Sequence, residues 1–384
     1  MLKKFKIKNY KNFKNEVCLD FSNTAGYQFS LDCLTDGLIS KILIYGRNAT
    51  GKTNLGKALL DIYNTMFNSS RYVQDGIFLN ADSHERSAVF SYEFSFSDQT
   101  LLYNYARYSE SELQWEELFI DGTPIFNCDF CSKTYNFDNL KYINAETANT
   151  ERYLQSLEEG QDTKDIAESK LPFLRWLISN VALKNDSMLI RLSNYVRRMV
   201  VISAGNVMRS QSRKIYDGFF ETLEDNAKLK DLEDFLNVMG LNCSLVLKEL
   251  PDGQKELYFS NDKLVPFFEN ASSGTLALFD LYRRLMPSVW DASLIYLDEF
   301  DAFYHYEMAE NVIRFFKKRF PRSQIVMTSH NTNLMTNRLM RPDCLLILST
   351  SGSLTPLCNA TARELREGHN LEKMYISGEF EEYE

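Results

Sequence analysis

Gly46-Arg47-Asn48-Ala49-Thr50-Gly51-Lys52-Thr53 is the stretch on which the reading of this chain turns. It matches G-x-x-x-x-G-K-[ST] at every fixed position. Its flanks are those the pattern requires. Lys41-Ile42-Leu43-Ile44-Tyr45 before it is a short apolar run of strand character, and Asn54 to Phe67 after it has helical periodicity. A strand, a glycine loop and a helix in that order build an anion cradle. The glycines let backbone N–H groups turn inward, and the helix start adds its partial positive charge. We expect Gly46, Asn48, Gly51 and Asn54 around a nucleotide's phosphates, with Lys52 reaching the β- and γ-phosphates and Thr53 holding Mg²⁺ through its hydroxyl.

A second motif lies far downstream. Ser293-Leu294-Ile295-Tyr296-Leu297-Asp298-Glu299 is an apolar strand that ends in two acids. Carboxylates at the C-terminal edge of a parallel sheet sit beside a phosphate loop. Asp298 is expected to bind Mg²⁺, directly or through water, and Glu299 to polarise the attacking water. Thr53 and Asp298 are 245 positions apart. That is far more than a compact phosphate-loop domain needs, and implies a large insert between the motifs.

The remaining pattern is strand-rich at both ends and helix-rich between. Phe5 and Ile7 alternate with lysines, then Val17, Leu19 and Phe21 alternate again. Ala88–Phe96, Leu101–Tyr108 and Trp115–Ile120 read as strands, with Asp121-Gly122 as a turn. Residues 146–184 are mainly helical, and 190–240 are helical with a β-branched interruption at Val200-Val201-Ile202. Ser244–Leu250 and Glu256–Phe259 form a hairpin around Pro251-Asp252-Gly253, and apolar strands follow at 293–297, 324–327 and 344–348.

Between the two nucleotide motifs lies Asn270-Ala271-Ser272-Ser273-Gly274-Thr275, followed by helix-like sequence, with Asp298 24 residues beyond Gly274. Here the chain resembles the ABC-type ATPases, whose S-G-[GQ] signature opens a helix before the acidic strand. The Ser-Ser-Gly-Thr variant looks like that of the OLD-like, RecF-like and SMC-like ATPases of prokaryotes. Further segments agree: Asn9-Tyr10-Lys11-Asn12-Phe13 after the first strand, Phe300-Asp301-Ala302 at the D-loop place, and Val326 to Asn331 with His330 at the switch position. The tail, Asn370 to Tyr375 and Gly378-Glu379-Phe380, is similar to the ending of the OLD-like subgroup. The likeness covers about 1–60 and 255–380. No Q-loop glutamine is assigned; Gln99, between strand-like runs, reads as a turn residue.

The resemblance implies an α/β fold: a P-loop NTPase of the ABC-type head class, with a mixed strand and helical insert between the phosphate loop and the signature. It implies an N-terminal lobe over 1–86, a strand-rich part of head or insert over 87–145, a helical insert over 146–243 and a C-terminal lobe over 244–384. It implies ATP and Mg²⁺ as ligands. Ser273 and Gly274 at the helix start would bind the γ-phosphate held by an opposing subunit, Lys11 would lie near the phosphates, and His330 would contact the γ-phosphate and help orient water. Two ATPs would sit between two heads in a head-to-tail dimer or a higher oligomer. The function so implied is an ATP-hydrolysing switch that controls a separate nuclease- or toxin-type effector in prokaryotic defence. The alternative is a RecF-like DNA-repair ATPase that binds DNA directly.

Composition narrows the choice. The chain has 384 residues, 44% hydrophobic and 25% charged, which is ordinary globular chemistry. Lys+Arg is 43 against Asp+Glu 52, a net charge of -9, which argues against a surface made to coat nucleic acid. The local exception is 187–216, where Arg191, Arg197, Arg198, Arg209, Arg213 and Lys214 occur without an acid. That face could meet phosphates, or be a basic surface paired with the acids at 217–234. Only 218 residues separate Thr53 from Ser272, too few for long coiled arms, and 54 follow His330, too few for an appended TOPRIM nuclease. Seven cysteines without framework spacing, no membrane-length apolar run and no secretory signal suit a reduced, cytoplasmic protein. Cys128 and Cys131 form one C-x-x-C with no histidine beside it, so structural cysteines are favoured over zinc ligands. His305 is expected to be structural.

Overall fold

The computed structural model describes residues 1–67, 76–159, 171–203, 217–285 and 291–384. Two large sheets enclose the helix that follows the phosphate loop. One is six-stranded, in the spatial order Met199–Ser203, Leu294–Asp298, Gln324–Ser329, Lys41–Tyr45, Leu345–Leu348, Leu354–Pro356. All its pairings are parallel except the last. Lys41–Tyr45, Leu294–Asp298, Gln324–Ser329 and Leu345–Leu348 are buried along their whole lengths. That is why they read as unbroken apolar runs: strands covered on both faces have no solvent side to show as alternation.

The other sheet is antiparallel and seven-stranded. Its order is Thr134–Asn136, Thr123–Asp129, Leu113–Ile120, Gln99–Arg107, Ala88–Phe96, Leu2–Lys8, Val17–Asp20. Here one face is buried, and Ala88–Phe96 alternates buried and half-buried along most of its length. The strand-rich span 87–145, readable from sequence as head or insert, is continuous with the N-terminal strands through the pairing of Leu2–Lys8 with Ala88–Phe96. Gln99 opens its strand beside the Asp121-Gly122 turn and donates to Asp121 Oδ2 at 3.3 Å.

One sequence expectation needs correction. The β-branched interruption in the supposed helical insert is a strand, Met199–Ser203, that pairs in parallel with the acidic strand Leu294–Asp298. Val200, Val201 and Ile202 favour extended backbone, and the acidic strand supplies the edge they add to. Residues 146–243 therefore contribute helices and also an edge strand of the six-stranded sheet. Helices Thr150–Glu159, Phe173–Asn180, Met188–Arg197 and Asn226–Val238 account for most of the rest of the described span. The expected helix over 54–67 is two helices, Lys52–Leu59 and Asp61–Phe67.

Two contacts lock the sheets to the loop helix. Gly56 lies so close to Tyr296 that a Cβ there would stand 2.5 Å from Cε1 of the ring. From the other side Tyr92 donates to the Ala58 carbonyl at 2.7 Å. The sheets also touch directly through fully buried Gln324. Its amide accepts from Leu2 N–H and donates to Leu2 O, both at 2.8 Å, and accepts from the Tyr195 hydroxyl at 2.5 Å. A buried amide must be paired, and here it pairs as an extra strand residue would.

No helix among the described residues is long and apolar enough to cross a membrane. Cys128 is buried and Cys131 exposed.

Candidate nucleotide site

The loop that ends Lys41–Tyr45 turns into the helix at Gly51, whose φ of 104° is a left-handed conformation that favours glycine. Lys52, the first helical residue, is buried, and its ammonium donates to the loop carbonyls of Gly46 at 2.8 Å and Arg47 at 3.1 Å. Glu299 Oε1 is 3.9 Å from the same nitrogen. Burial lowers the Lys52 pKa, and the charges of Glu299, Asp298 and Asp301 oppose that shift.

Across 245 residues of chain, the Thr53 hydroxyl donates to Asp298 Oδ2 at 2.7 Å. The two motifs thus meet at one point on the C-terminal edge of the parallel sheet. Asp298 also accepts from Thr328 Oγ1 at 3.1 Å and from Ser203 Oγ at 3.5 Å. Burial pushes its carboxyl above the usual range, with the Thr53 and Thr328 hydrogen bonds opposing. A buried carboxylate beside a hydroxyl is a pair of hard oxygen donors whose charge lacks a full counter-charge, a donor set that suits Mg²⁺.

Glu299 follows at the strand end, its side chain 42% exposed and its φ at 48°, a left-handed value for a non-glycine residue. Such strain persists only where neighbours hold it. Its N–H donates to Thr328 Oγ1 at 2.8 Å. Asp301, two residues on, is buried and accepts from Ser329 Oγ at 2.6 Å. Burial raises its pKa as well, and the Ser329 hydrogen bond opposes that shift more than nearby His330 does. His330 itself is exposed, and the loop after it is tied by Asn331 N–H to Ser329 Oγ at 2.9 Å. His305 is the exposed N-cap residue of Tyr306–Arg319.

Not every expected residue meets the loop in the same way. Asn54 does so through its neighbour Asn12, to whose Oδ1 it donates. Asn12 also packs against Gly51, where a Cβ would lie 3.0 Å from its own Cβ. Asn12 belongs to the Asn9–Phe13 segment, next to Lys11, the residue expected near the phosphates. Lys11 Nζ donates instead to the Ile77 carbonyl at 3.3 Å. Asn48 is exposed on the loop. Ser273 starts the helix Ser273–Leu285 and is exposed. Ser272 Oγ caps that helix by accepting from Thr275 N–H at 3.1 Å. A Cβ on Gly274 would stand 3.0 Å from the Phe303 carbonyl, so the signature helix begins against the segment that follows Asp301. Among the described residues, no hydrogen bond joins Ser273 or Gly274 to the phosphate loop.

The basic segment is only partly within the described residues; Arg209, Arg213 and Lys214 lie outside them. Arg191 donates to Ser97 Oγ at 3.1 Å, Arg197 stacks over the Phe67 ring at 4.9 Å and Arg198 pairs with Asp291 at 2.7 Å. These three contacts all lie outside the 217–234 acids. On the first strand Lys3, Lys4, Lys6 and Lys8 pair with Glu93, Asp20, Glu16 and Glu85.

A family model described as "AAA domain, putative AbiEii toxin, Type IV TA system" matches residues 42–336, more than half of the chain. No curated protein matches. Among solved structures, the chain is similar to the SMC head domain from Thermotoga maritima at 13% identity and a TM-score of 0.44, covering 92% of this chain and 98% of that one. It is also similar to a Pyrococcus furiosus Smc head with an extended coiled coil bound to the C-terminal domain of ScpA. There the identity is 14% and the TM-score 0.45, over 99% of each chain. A third structure, an SmcHead bound to the C-winged helix domain of ScpA, shows 14% identity and a TM-score of 0.45 over 90% and 93%. These likenesses are too distant to carry an argument.

Proposed function

The chain belongs to the family of AAA domains described as putative AbiEii toxin of type IV toxin–antitoxin systems, and from that premise we propose that it is a Mg²⁺-dependent ATP-hydrolysing switch of the OLD-like kind. The observation that carries the proposal is the meeting of Thr53 and Asp298 at 2.7 Å, with Lys52 and Glu299 beside them.

Lys52 and the loop N–H groups hold the triphosphate. Thr53 and Asp298 would hold the metal, which when bound would supply charge to offset that building on the phosphate oxygens. Glu299 draws a proton from the attacking water, and His330 orients that water against the γ-phosphate. Exposed Ser273 and half-buried Gly274, at a helix start, serve the nucleotide of an opposing copy. Each γ-phosphate is then a removable charge clamp between two heads in a head-to-tail dimer or higher oligomer, and hydrolysis opens it. Its output, on this reading, passes to a separate nuclease- or toxin-type effector in a prokaryotic defence system, in the cytoplasm; the family description supports the toxin–antitoxin setting alone. Direct DNA binding, as in a RecF-like repair ATPase, is the weaker reading. Arg191, Arg197 and Arg198 have contacts within the chain, as do the four strand lysines.

Sizing of the Glu299→Gln protein with ATP and Mg²⁺ tests the switch. It should run as a dimer or larger with ATP and shift back without it. An unchanged size overturns the clamp. Lys52→Ala should lose nucleotide binding, and unchanged binding overturns the loop assignment.

A further inference from the structure

We propose that Thr328 is a positioning residue for hydrolysis: its buried hydroxyl fixes the metal-binding and water-activating carboxylates relative to each other. This rests on the ATPase reading of the site and assigns a residue to it. Thr328 lies on the strand Gln324–Ser329, fully buried, between the strand that carries the acids and the strand that carries the loop. Its Oγ1 donates to Asp298 Oδ1 at 3.1 Å and accepts from Glu299 N–H at 2.8 Å. One oxygen therefore binds both acids through different atoms, a side chain in one and a backbone in the other.

The backbone of Glu299 shows why such a tie is needed. At φ 48° it is left-handed, and a β-strand has no intrinsic reason to end that way at a glutamate. A hydrogen bond to its N–H at the first residue past the strand selects that conformation. The turn aims residue 299 away from the strand line while residue 298 keeps its side chain on Thr53. Thr328 also leaves Asp298 Oδ2 to the Thr53 hydroxyl by occupying Oδ1. A buried carboxylate with both oxygens engaged has a fixed orientation, which a metal ligand requires.

The adjacent residue repeats the device on the other side of the strand. Ser329 Oγ accepts from Asn331 N–H and donates to Asp301. The strand end thus presents two neighbouring hydroxyls, one tied to the acid pair and one to the segment carrying Asp301 and the loop after His330. Thr328 is fully buried and bonded to Asp298 and Glu299, so it acts through those two residues. Its removal should therefore reduce turnover more than nucleotide affinity.

The test compares Thr328→Val, Thr328→Ser and wild type in steady-state hydrolysis, with equilibrium binding of a fluorescent ATP analogue and thermal melting alongside. Valine keeps the shape and lacks the hydroxyl. It should lower kcat roughly tenfold to a hundredfold while analogue affinity stays within about threefold. Serine keeps the hydroxyl and should return kcat to within about threefold of wild type. If valine does not fold, Thr328→Ala is read in its place against the same serine variant. Equal loss in the serine and valine proteins, or affinity falling as much as kcat, overturns the proposal. An inactive wild type that also fails to bind the analogue would instead overturn the ATPase reading.

Discussion

Each large sheet buries a carboxylate on a strand, and the two are treated in opposite ways. Asp298 closes a parallel strand at the sheet edge, and its partners Thr53, Thr328 and Ser203 are all hydroxyls. Glu116 lies within the antiparallel sheet. It accepts from the Tyr103 hydroxyl at 2.8 Å and, at the start of Phe173–Asn180, from Phe173 N–H and from Leu174 N–H at 3.4 Å. Burial pushes Glu116 up to about 7, with those hydrogen bonds opposing. Burial raises Asp298 too. Glu116 is enclosed by a helix start and a tyrosine, so its place is occupied by structure. Asp298 sits at the mouth of a phosphate loop, where a divalent cation can answer its charge. A buried acid alone does not mark a site; what stands in front of it does.

The largest expected effect separates the two carboxylates by activity. Asp298→Asn should lower ATP hydrolysis at least about a hundredfold, because the amide is a poor metal ligand. In Mg²⁺-free buffer its melting temperature should match or exceed that of wild type, with the advantage growing as pH rises. The sign follows from the raised pKa: the stability Asp298 contributes is present at low pH and lost as pH climbs through the folded value. Glu116→Gln should leave hydrolysis within about twofold, since sites without shared partners act independently. If Glu116→Gln abolishes hydrolysis and Asp298→Asn does not, the contrast between the two acids is wrong.

The next effect is one of stability and belongs to Glu116. With a folded pKa of about 7 against an ordinary 4.5, the unfolded chain ionises first as pH rises. Stability from this group therefore declines between about pH 4.5 and pH 7, by roughly 3 kcal/mol, and is flat above. Chemical denaturation at pH 5 and pH 8 should show Glu116→Gln gaining on wild type at the higher pH. A constant difference between the proteins would remove Glu116 as the titrating group.

The smallest effect tests the wall between the two sheets. Gly56→Ala forces a methyl against Tyr296 and should cost about 1–3 kcal/mol in denaturant melts. Because Tyr296 donates to the Lys52 carbonyl at 2.5 Å, that strain is expected to reach the loop as weaker nucleotide binding. A variant as stable as wild type would mean that the helix shifts freely on the sheet.

Legibility followed the same division. Strands of the antiparallel sheet were readable because one buried face leaves a period-two pattern, as in Ala88–Phe96. Strands of the parallel sheet were readable as apolar runs leading into a glycine loop or a pair of acids, as in Lys41–Tyr45 and Leu294–Asp298. Met199–Ser203 misled because a five-residue strand between helices carries no motif of its own, and only its partner strand shows where it belongs. Thr328 was within a segment already singled out, yet a threonine in an apolar strand looks like any β-branched residue. Its role depends on two hydrogen bonds to residues about thirty positions away. Asn12 was passed over for Lys11, since charge draws attention in a sequence and packing against Gly51 does not.

By itself, the sequence determined the local chemistry: a glycine loop able to turn back on itself, a lysine and a threonine at its helix start, and two acids at a strand end. These follow from short-range backbone freedom and from residue type, which adjacent positions encode. Only the tertiary structure decided which groups share an atom. It brought Thr53 to Asp298, set Glu299 in a left-handed turn under Thr328, and turned Lys11 toward Ile77. Those outcomes depend on strand order and helix packing, where contacts between distant residues compete for the same buried space.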